Sequence, residues 1–208
     1  MTTGELTRQT QETTAGPITL IALGGLCGLA WAAGLRGFMA QVAGDDSAVA
    51  WVGTFVWILL PGVLAGGLLG WAEHLRRTGG RPHWRWLVLA PLLFMAVLAP
   101  DPLGVLESGL GGGAIGVPLY GILGGYAIAG RGRRLLRVIA GLLAASVVPV
   151  WALTVGSFAP HLTLDTPAGL WVALYYYSFM ALVMLACAIP LRPVAGGSGS
   201  PGSGRDRR

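Results

Sequence analysis

The chain contains no lysine: all 14 of its basic residues are arginine. Together with its many Ala and Gly residues, that bias points by association to a high-GC bacterium. Charge of either sign is scarce, at 11% of 208 residues, where a soluble domain carries roughly 25%. Scarce charge and high apolar content exclude a disordered chain, which must be polar and charged. The formal charge of +5 could suggest nucleic acid. The arginines, however, lie between apolar segments and in a tail, not on one folded face interleaved with aromatics, so no nucleic-acid partner is expected. With only two cysteines, Cys27 and Cys187, both inside apolar runs, a disulfide framework is not expected. Both read as small buried apolar residues. No Cys/His cluster has metal-ligand spacing, and neither H-E-x-x-H nor G-x-S-x-G occurs, so the sequence predicts no metal, no cofactor and no enzyme.

What the chain has instead is long apolar runs. Hydrophobic residues make up 54%, and most of the 34 glycines fall inside those runs, as in membrane helices whose backbones approach closely. A span needs about 20 mostly apolar residues. Six candidates follow: Pro17 to about Leu35, Ala48–Ala72, Trp84–Ala99 (short and interrupted by Pro91), Leu110–Ala129, Leu135–Phe158 and Ala168–Ile189. The first is not a cleaved signal in the usual form, because Glu5 and Glu12 outnumber Arg8 before it. The expected class is all-α, a polytopic transmembrane bundle of about six spans. Residues 1–16 read as a disordered cytoplasmic N-terminus, 17–193 as the six-helix transmembrane domain, and the Gly/Ser-rich 194–208 as a disordered cytoplasmic tail.

Arginine counts give an orientation. The loop between spans two and three holds Arg76, Arg77, Arg81 and Arg85, and that between four and five holds Arg131, Arg133, Arg134 and Arg137. The termini add Arg8, Arg192, Arg205, Arg207 and Arg208, which puts 13 of the 14 on one side. Only Arg36 falls on the other, with Asp45, Asp46, Asp101, Glu107 and Asp165. The positive-inside bias then predicts a bacterial cytoplasmic (inner) membrane with both termini in the cytoplasm. Topogenic anchoring accounts for each Arg cluster, and binding of anionic lipid head groups by the same clusters is the sharper alternative.

Small-xxx-small spacing recurs at Gly24/Gly28, Gly62/Gly66/Gly70, Gly112/Gly116 and Gly121/Gly125. Pro61, Pro91, Pro118 and Pro149 each fall inside a span, where a kink is expected. Two repeat registers compete. An offset of about 57 residues pairs Pro61 with Pro118 and would duplicate a hairpin. One of about 88 pairs Gly24 and Gly28 with Gly112 and Gly116, and would make the halves an inverted repeat, as in many transporters.

Little in the chain resembles catalytic chemistry. Ser157, His161 and Asp165 are spaced by four, but Pro160 and Pro167 interrupt them, which favours a polar loop over a triad. Glu73-His74 at the inner end of span two could relay protons, although beside Arg76 and Arg77 an ion-pair cluster is the plainer role. Tyr175, Tyr176 and Tyr177 could line a cavity or form a packing face. The segment that stands out is Arg36-Gly37-Phe38-Met39 with Asp45-Asp46. An arginine at membrane depth is costly unless paired or facing water. The expectation is that Arg36 either snorkels to head groups or binds an anion or carboxylate at the outer mouth, with Asp45, Asp46, Glu107 and Asp165 as candidate partners. Arg36-Gly37-Phe38-Met39 and Trp51-x-Gly53-Thr54 resemble a group of uncharacterised multi-pass membrane proteins of high-GC bacteria over spans one and two. That resemblance implies no activity and adds weight to Arg36.

The functional expectation is a small transporter or channel-like protein for a small solute or ion. The alternative is a non-transporting membrane module, an assembly partner or lipid-interacting subunit. A polar cavity reaching the middle of the bundle would favour the first, and a dry interior the second.

Overall fold

A computed structural model of the chain describes residues 16–98, Leu103 and 110–194, with side chains from residue 113 in the second block and all but that of Asp46 in the first. The expected disordered termini, along with Asp101 and Glu107, lie outside the described residues. Everything regular among the described residues is helical. The fold is an all-α bundle.

Helix α1 (Pro17–Ala43) opens on a proline at its first position, where the missing N–H would have had no partner anyway. It stops at Gly44, whose positive φ of 58° is open to glycine and strained for residues with a Cβ. The apolar run predicted an end near Leu35. The helix instead carries on through Arg36 to Ala43, because nothing between them breaks it: the residues are good helix formers apart from Gly37, and one glycine costs only about 1 kcal/mol.

The second run changes helix type along its length. Trp51–Leu59 is π-helical and Leu60–Arg77 is the α-helix α2. At the junction, the Leu60 N–H donates to the Phe55 carbonyl, five residues back. Pro61, just inside α2, has no N–H, and in a regular α-helix its ring would press on the carbonyl four residues earlier. Wider turns upstream make that room. After Arg77 the chain reverses through Gly79 and Gly80, with φ of 95° and 78°, and His83 at 64°.

A 3-10 helix of 15 residues, Trp84–Leu98, follows with Pro91 inside it. Helix α3 (Leu110–Ile128) runs through Pro118 as one continuous element. Helices α4 (Arg134–Ala145) and α5 (Val147–Phe158) meet at Ser146. Pro149 lacks the N–H that would have bonded the Ala145 carbonyl, and the break falls there. Helix α6 (Pro167–Ala188) starts at Thr166, whose hydroxyl accepts the Gly169 N–H at 3.0 Å, a standard N-cap.

Four helical runs, Pro17–Ala43, Trp51–Arg77, Arg134–Phe158 and Pro167–Leu191, are long and apolar enough to cross a membrane, and Trp84–Leu98 and Gly113–Ile128 are shorter apolar helices. The first two runs pack antiparallel, backbone against backbone. A Cβ on Gly66 would lie 2.8 Å from the Gly28 Cα and on the Gly24 carbonyl oxygen, and one on Gly28 would strike the Gly62 carbonyl. Both stripes predicted from spacing are therefore used, against each other. Gly121 and Gly125 receive α6, with virtual Cβ distances of 3.1 Å to Val183 and 2.6 Å to Cys187. Gly116 meets nothing nearer than Tyr120 at 4.0 Å, so equal spacing does not mean equal use. The residues paired by the 88-residue offset thus sit in unlike surroundings: Gly28 is locked and Gly116 is open.

Around α6 the packing is aromatic. Phe38, Trp151, Tyr176 and Phe179 form one cluster, with Phe38 and Tyr176 stacked at 5.1 Å and Trp151 and Tyr176 at 4.7 Å between ring centres. Trp31 extends it, edge-on to Phe94 and Phe179. Cys187 is fully buried here, as expected, whereas Cys27 is exposed on α1. The expectation that both are buried is wrong for Cys27, because α1 covers little beyond its glycine stripe.

Candidate functional site

Arg36 sits on the last third of α1, half-buried. Its guanidinium reaches over the turn that leads to the second run. Nη1 and Nη2 each donate to the Ser47 hydroxyl at 3.1 Å, and Nη2 also donates to the Ala48 carbonyl. An arginine has five donors in a rigid fork, and here two neutral oxygens of the following loop take up its outer end. No described carboxylate is within ion-pair distance of Arg36. Asp45 is exposed, the Asp46 side chain and Glu107 lie outside what is described, and Asp165 is exposed on the loop before α6. The Thr163 hydroxyl, followed by its own backbone N–H, holds the Asp165 carboxyl below the usual carboxylate range. The described geometry makes Arg36 a tie between α1 and the segment that opens the next run. Ser47, the acceptor, was legible only as a small polar residue beside Asp46.

The neighbouring contacts pin the same end of the bundle. The His161 ring lies 3.2 Å from the Gln41 carbonyl, and the Tyr175 hydroxyl donates to the Gly34 carbonyl. Tyr177 donates to Val148 O at 3.1 Å, and Tyr176 lies in the aromatic cluster. The three tyrosines therefore form a packing face, and the hydroxyls of Tyr175 and Tyr177 satisfy carbonyls of adjacent helices. The spaced Ser157, His161 and Asp165 are not assembled as a triad: Ser157 donates to Thr154 O at 2.6 Å, and the chain between them leaves the helix at Phe158.

At the opposite end, Glu73 grips two arginines. Arg76 Nε and Nη2 donate to its two oxygens at 2.7 and 2.8 Å, and Arg77 Nε at 2.7 Å. This is the ion-pair cluster expected beside His74, whose Nδ1 has no partner among the described residues. Arg76 also reaches Pro193 O at 3.5 Å, and Gly80 lies against Val194. These contacts bring the loop after α2 and the chain after α6 to one end of the bundle. Arg137, at the start of α4, donates to Ala127 O at 3.1 and 3.3 Å, which brings the loop after α3 there too. The arginine groups separated in sequence thus share an end, with Arg36 at the other.

Beside that cluster, the turn 79–83 and the first residues of the 3-10 helix enclose an open-sided hollow of about 410 Å³ lined by Arg81, His83, Trp84, Arg85 and Trp86. Sequence reasoning counted these arginines as anchors and overlooked the interleaved R-P-H-W-R-W, the signal that could have marked the place. An apolar groove of about 570 Å³ also runs along α1 and α2, between Ile21, Leu26, Val63 and Trp71. Among the described residues no group of three metal-ligating side chains forms, and the single buried polar side chain is Thr54. No family model, no curated protein and no solved structure matches the chain.

Proposed function

We propose that this chain is a multi-pass protein of the bacterial cytoplasmic membrane, with both termini inside, that serves as a non-transporting module: an assembly partner or lipid-interacting subunit. The observation that carries this reading is the filling of the bundle interior. Interlocked glycine backbones occupy one half and stacked aromatic rings the other, and Thr54 is the one buried polar side chain among the described residues. A carrier needs a solvated path with polar groups at mid-depth. Neither the groove on α1 and α2 nor the arginine hollow offers one, since both lie on the outer surface of the helices. The gathering of arginine groups at one end supports the orientation through the positive-inside bias. Among the described residues no nucleophile, base or metal set is assembled that would support an enzymatic role.

A solute carrier is the second reading, and one observation favours it. Trp51–Leu59, Trp84–Leu98 and the break at Ser146 depart from α-helical geometry, and transporters build their sites at such departures.

One labelling experiment separates the two readings and tests the orientation. In protein with Cys27 and Cys187 replaced by alanine, Ser47→Cys and Thr163→Cys should react with a membrane-impermeant thiol reagent in intact cells, and Thr78→Cys only after the membrane is opened. Met180→Cys, at a position 1% exposed, should stay unreactive from both sides in opened membranes. Labelling of Met180→Cys at a rate near that of Ser47→Cys would overturn the dry interior in favour of a carrier.

A further inference from the structure

We propose that the hollow at the start of the 3-10 helix is a binding site for a phosphate-bearing anion, presented by the head group of an anionic lipid. The inference rests on the membrane reading above but not on the dry interior, and a water-filled bundle would leave it intact.

Three features together suit this place to an anion. The first is free positive charge. Glu73 takes two donors of Arg76 and the Nε of Arg77, whereas Arg81 and Arg85 have no described carboxylate within ion-pair distance and line a concave surface. Paired arginine forks are the side chains best suited to phosphate oxygens. The second is shape: Arg81 and Arg85, though exposed, line a shallow open-sided hollow of about 410 Å³ together with His83, Trp84 and Trp86.

The third is the combination of a constrained turn and a tryptophan at its rim. His83 holds a φ of 64°, a conformation that a residue with a Cβ adopts at a cost of about 1 kcal/mol. Its carbonyl accepts the Trp86 N–H at 3.0 Å, and the Arg81 carbonyl accepts the Trp84 N–H at 3.3 Å. Trp84 is buried against Ala72 and Leu75, so it anchors the turn. With Trp84 inward, Arg81, His83 and Arg85 are left on the open side and Trp86 stands 67% exposed beside them. Tryptophan is enriched where acyl chains meet head groups. A basic hollow whose rim carries such a ring, at the first turn of an apolar helix, is placed at head-group depth, which favours a lipid over a soluble phosphate.

The test uses the full chain purified in a neutral detergent, with native mass spectrometry to count bound lipid. Phosphatidylglycerol is the probe, phosphatidylcholine the zwitterionic control and inorganic phosphate the soluble arm. The double variant Arg81→Gln/Arg85→Gln should weaken phosphatidylglycerol binding by about 10-fold or more. Arg131→Gln/Arg133→Gln, which removes the same charge from the same end, should change it less than about 2-fold, and phosphatidylcholine binding should not respond. Equal losses in the two double variants would reduce the site to diffuse surface charge and overturn the proposal. So would full displacement of the lipid by millimolar inorganic phosphate, which would mark a soluble ligand. If the Arg81/Arg85 variant does not fold, modification of the unaltered protein with an arginine-directed dicarbonyl reagent decides. Phosphatidylglycerol should then protect Arg81 and Arg85 in preference to Arg131 and Arg133, and uniform protection would overturn the assignment. Carrier activity, were it found, would touch none of these outcomes.

Discussion

The α1–α2 hairpin and the aromatic half around α6 solve one problem with opposite materials. Both must hold helices together where burial of apolar area gives little drive, because lipid is as apolar as leucine. The hairpin removes side chains: Gly24 and Gly28 lie against Gly62, Gly66 and Gly70, so the helices touch through their backbones. The α6 half adds side chains, fitting Phe38, Trp151, Tyr176 and Phe179 edge to face and face to face. Of the most apolar stretch of α1 only 6% is buried, against 39% in Pro167–Leu191. Helix α1 therefore rests on a narrow glycine seam over its first part and joins the rings only through Trp31 and Phe38 further along, whereas α6 rests on a broad surface. A narrow seam of backbone cannot adjust to an added atom, whereas a surface of rings can lose or turn one member.

The largest effect should come from filling the seam. In Gly66→Leu the new Cβ would meet the α1 backbone at Gly24 and Gly28, with no side chain there free to rotate away, so the helices must separate. Thermal unfolding of the purified protein should show a loss of about 5 kcal/mol, since a whole interface is given up. Gly116→Leu, at the open glycine of α3, should cost less than about 1 kcal/mol. Equal melting of the two variants would mean that the seam contributes nothing.

A smaller loss is expected in the aromatic half. Phe38→Ala removes a ring that touches Trp151, Tyr175, Tyr176 and Phe179, at about 3 kcal/mol for the lost contacts and the cavity. If Phe38→Ala proves more damaging than Gly66→Leu, the contrast between the two halves is inverted. Trp151→Phe should be nearly silent, below about 1 kcal/mol. The indole N–H has no hydrogen-bond partner among the described residues, so replacing it strands nothing. A large loss there would show that the N–H is satisfied in solution and that the cluster is wetter than its rings suggest.

Hydropathy and arginine placement made the helical class and the sharing of an end by the arginine groups readable in advance, because both are set by local composition. The glycine seam was readable too, though only as a pattern. Spacing alone could not separate Gly66, which is locked, from Gly116, which is not, because a partner helix decides that. Ser47 as a partner of Arg36 was missed for a related reason. Charge arithmetic directs an arginine to acids, but the continuation of α1 to Ala43 also places its fork over Ser47 and Ala48, whose neutral oxygens take donors from Nη1 and Nη2. Helix type was invisible, since π, 3-10 and α turns share the same apolar residues and differ only in which carbonyl each N–H finds.

That last difference has a metrical consequence for Trp84–Leu98. A 3-10 helix rises about 2.0 Å per residue against about 1.5 Å for an α-helix, so its 15 residues extend about 30 Å and not about 22 Å. Thirty ångströms is about the depth of a bilayer's hydrocarbon. The run that is short as an α-helix is thus drawn out to about that length. Because side chains three apart eclipse in such a helix, Trp84, Leu87, Ala90 and Leu93 stand in a straight file, and this flat edge packs first against Ala72 and Leu75 and then against Ala65 and Leu69 of α2.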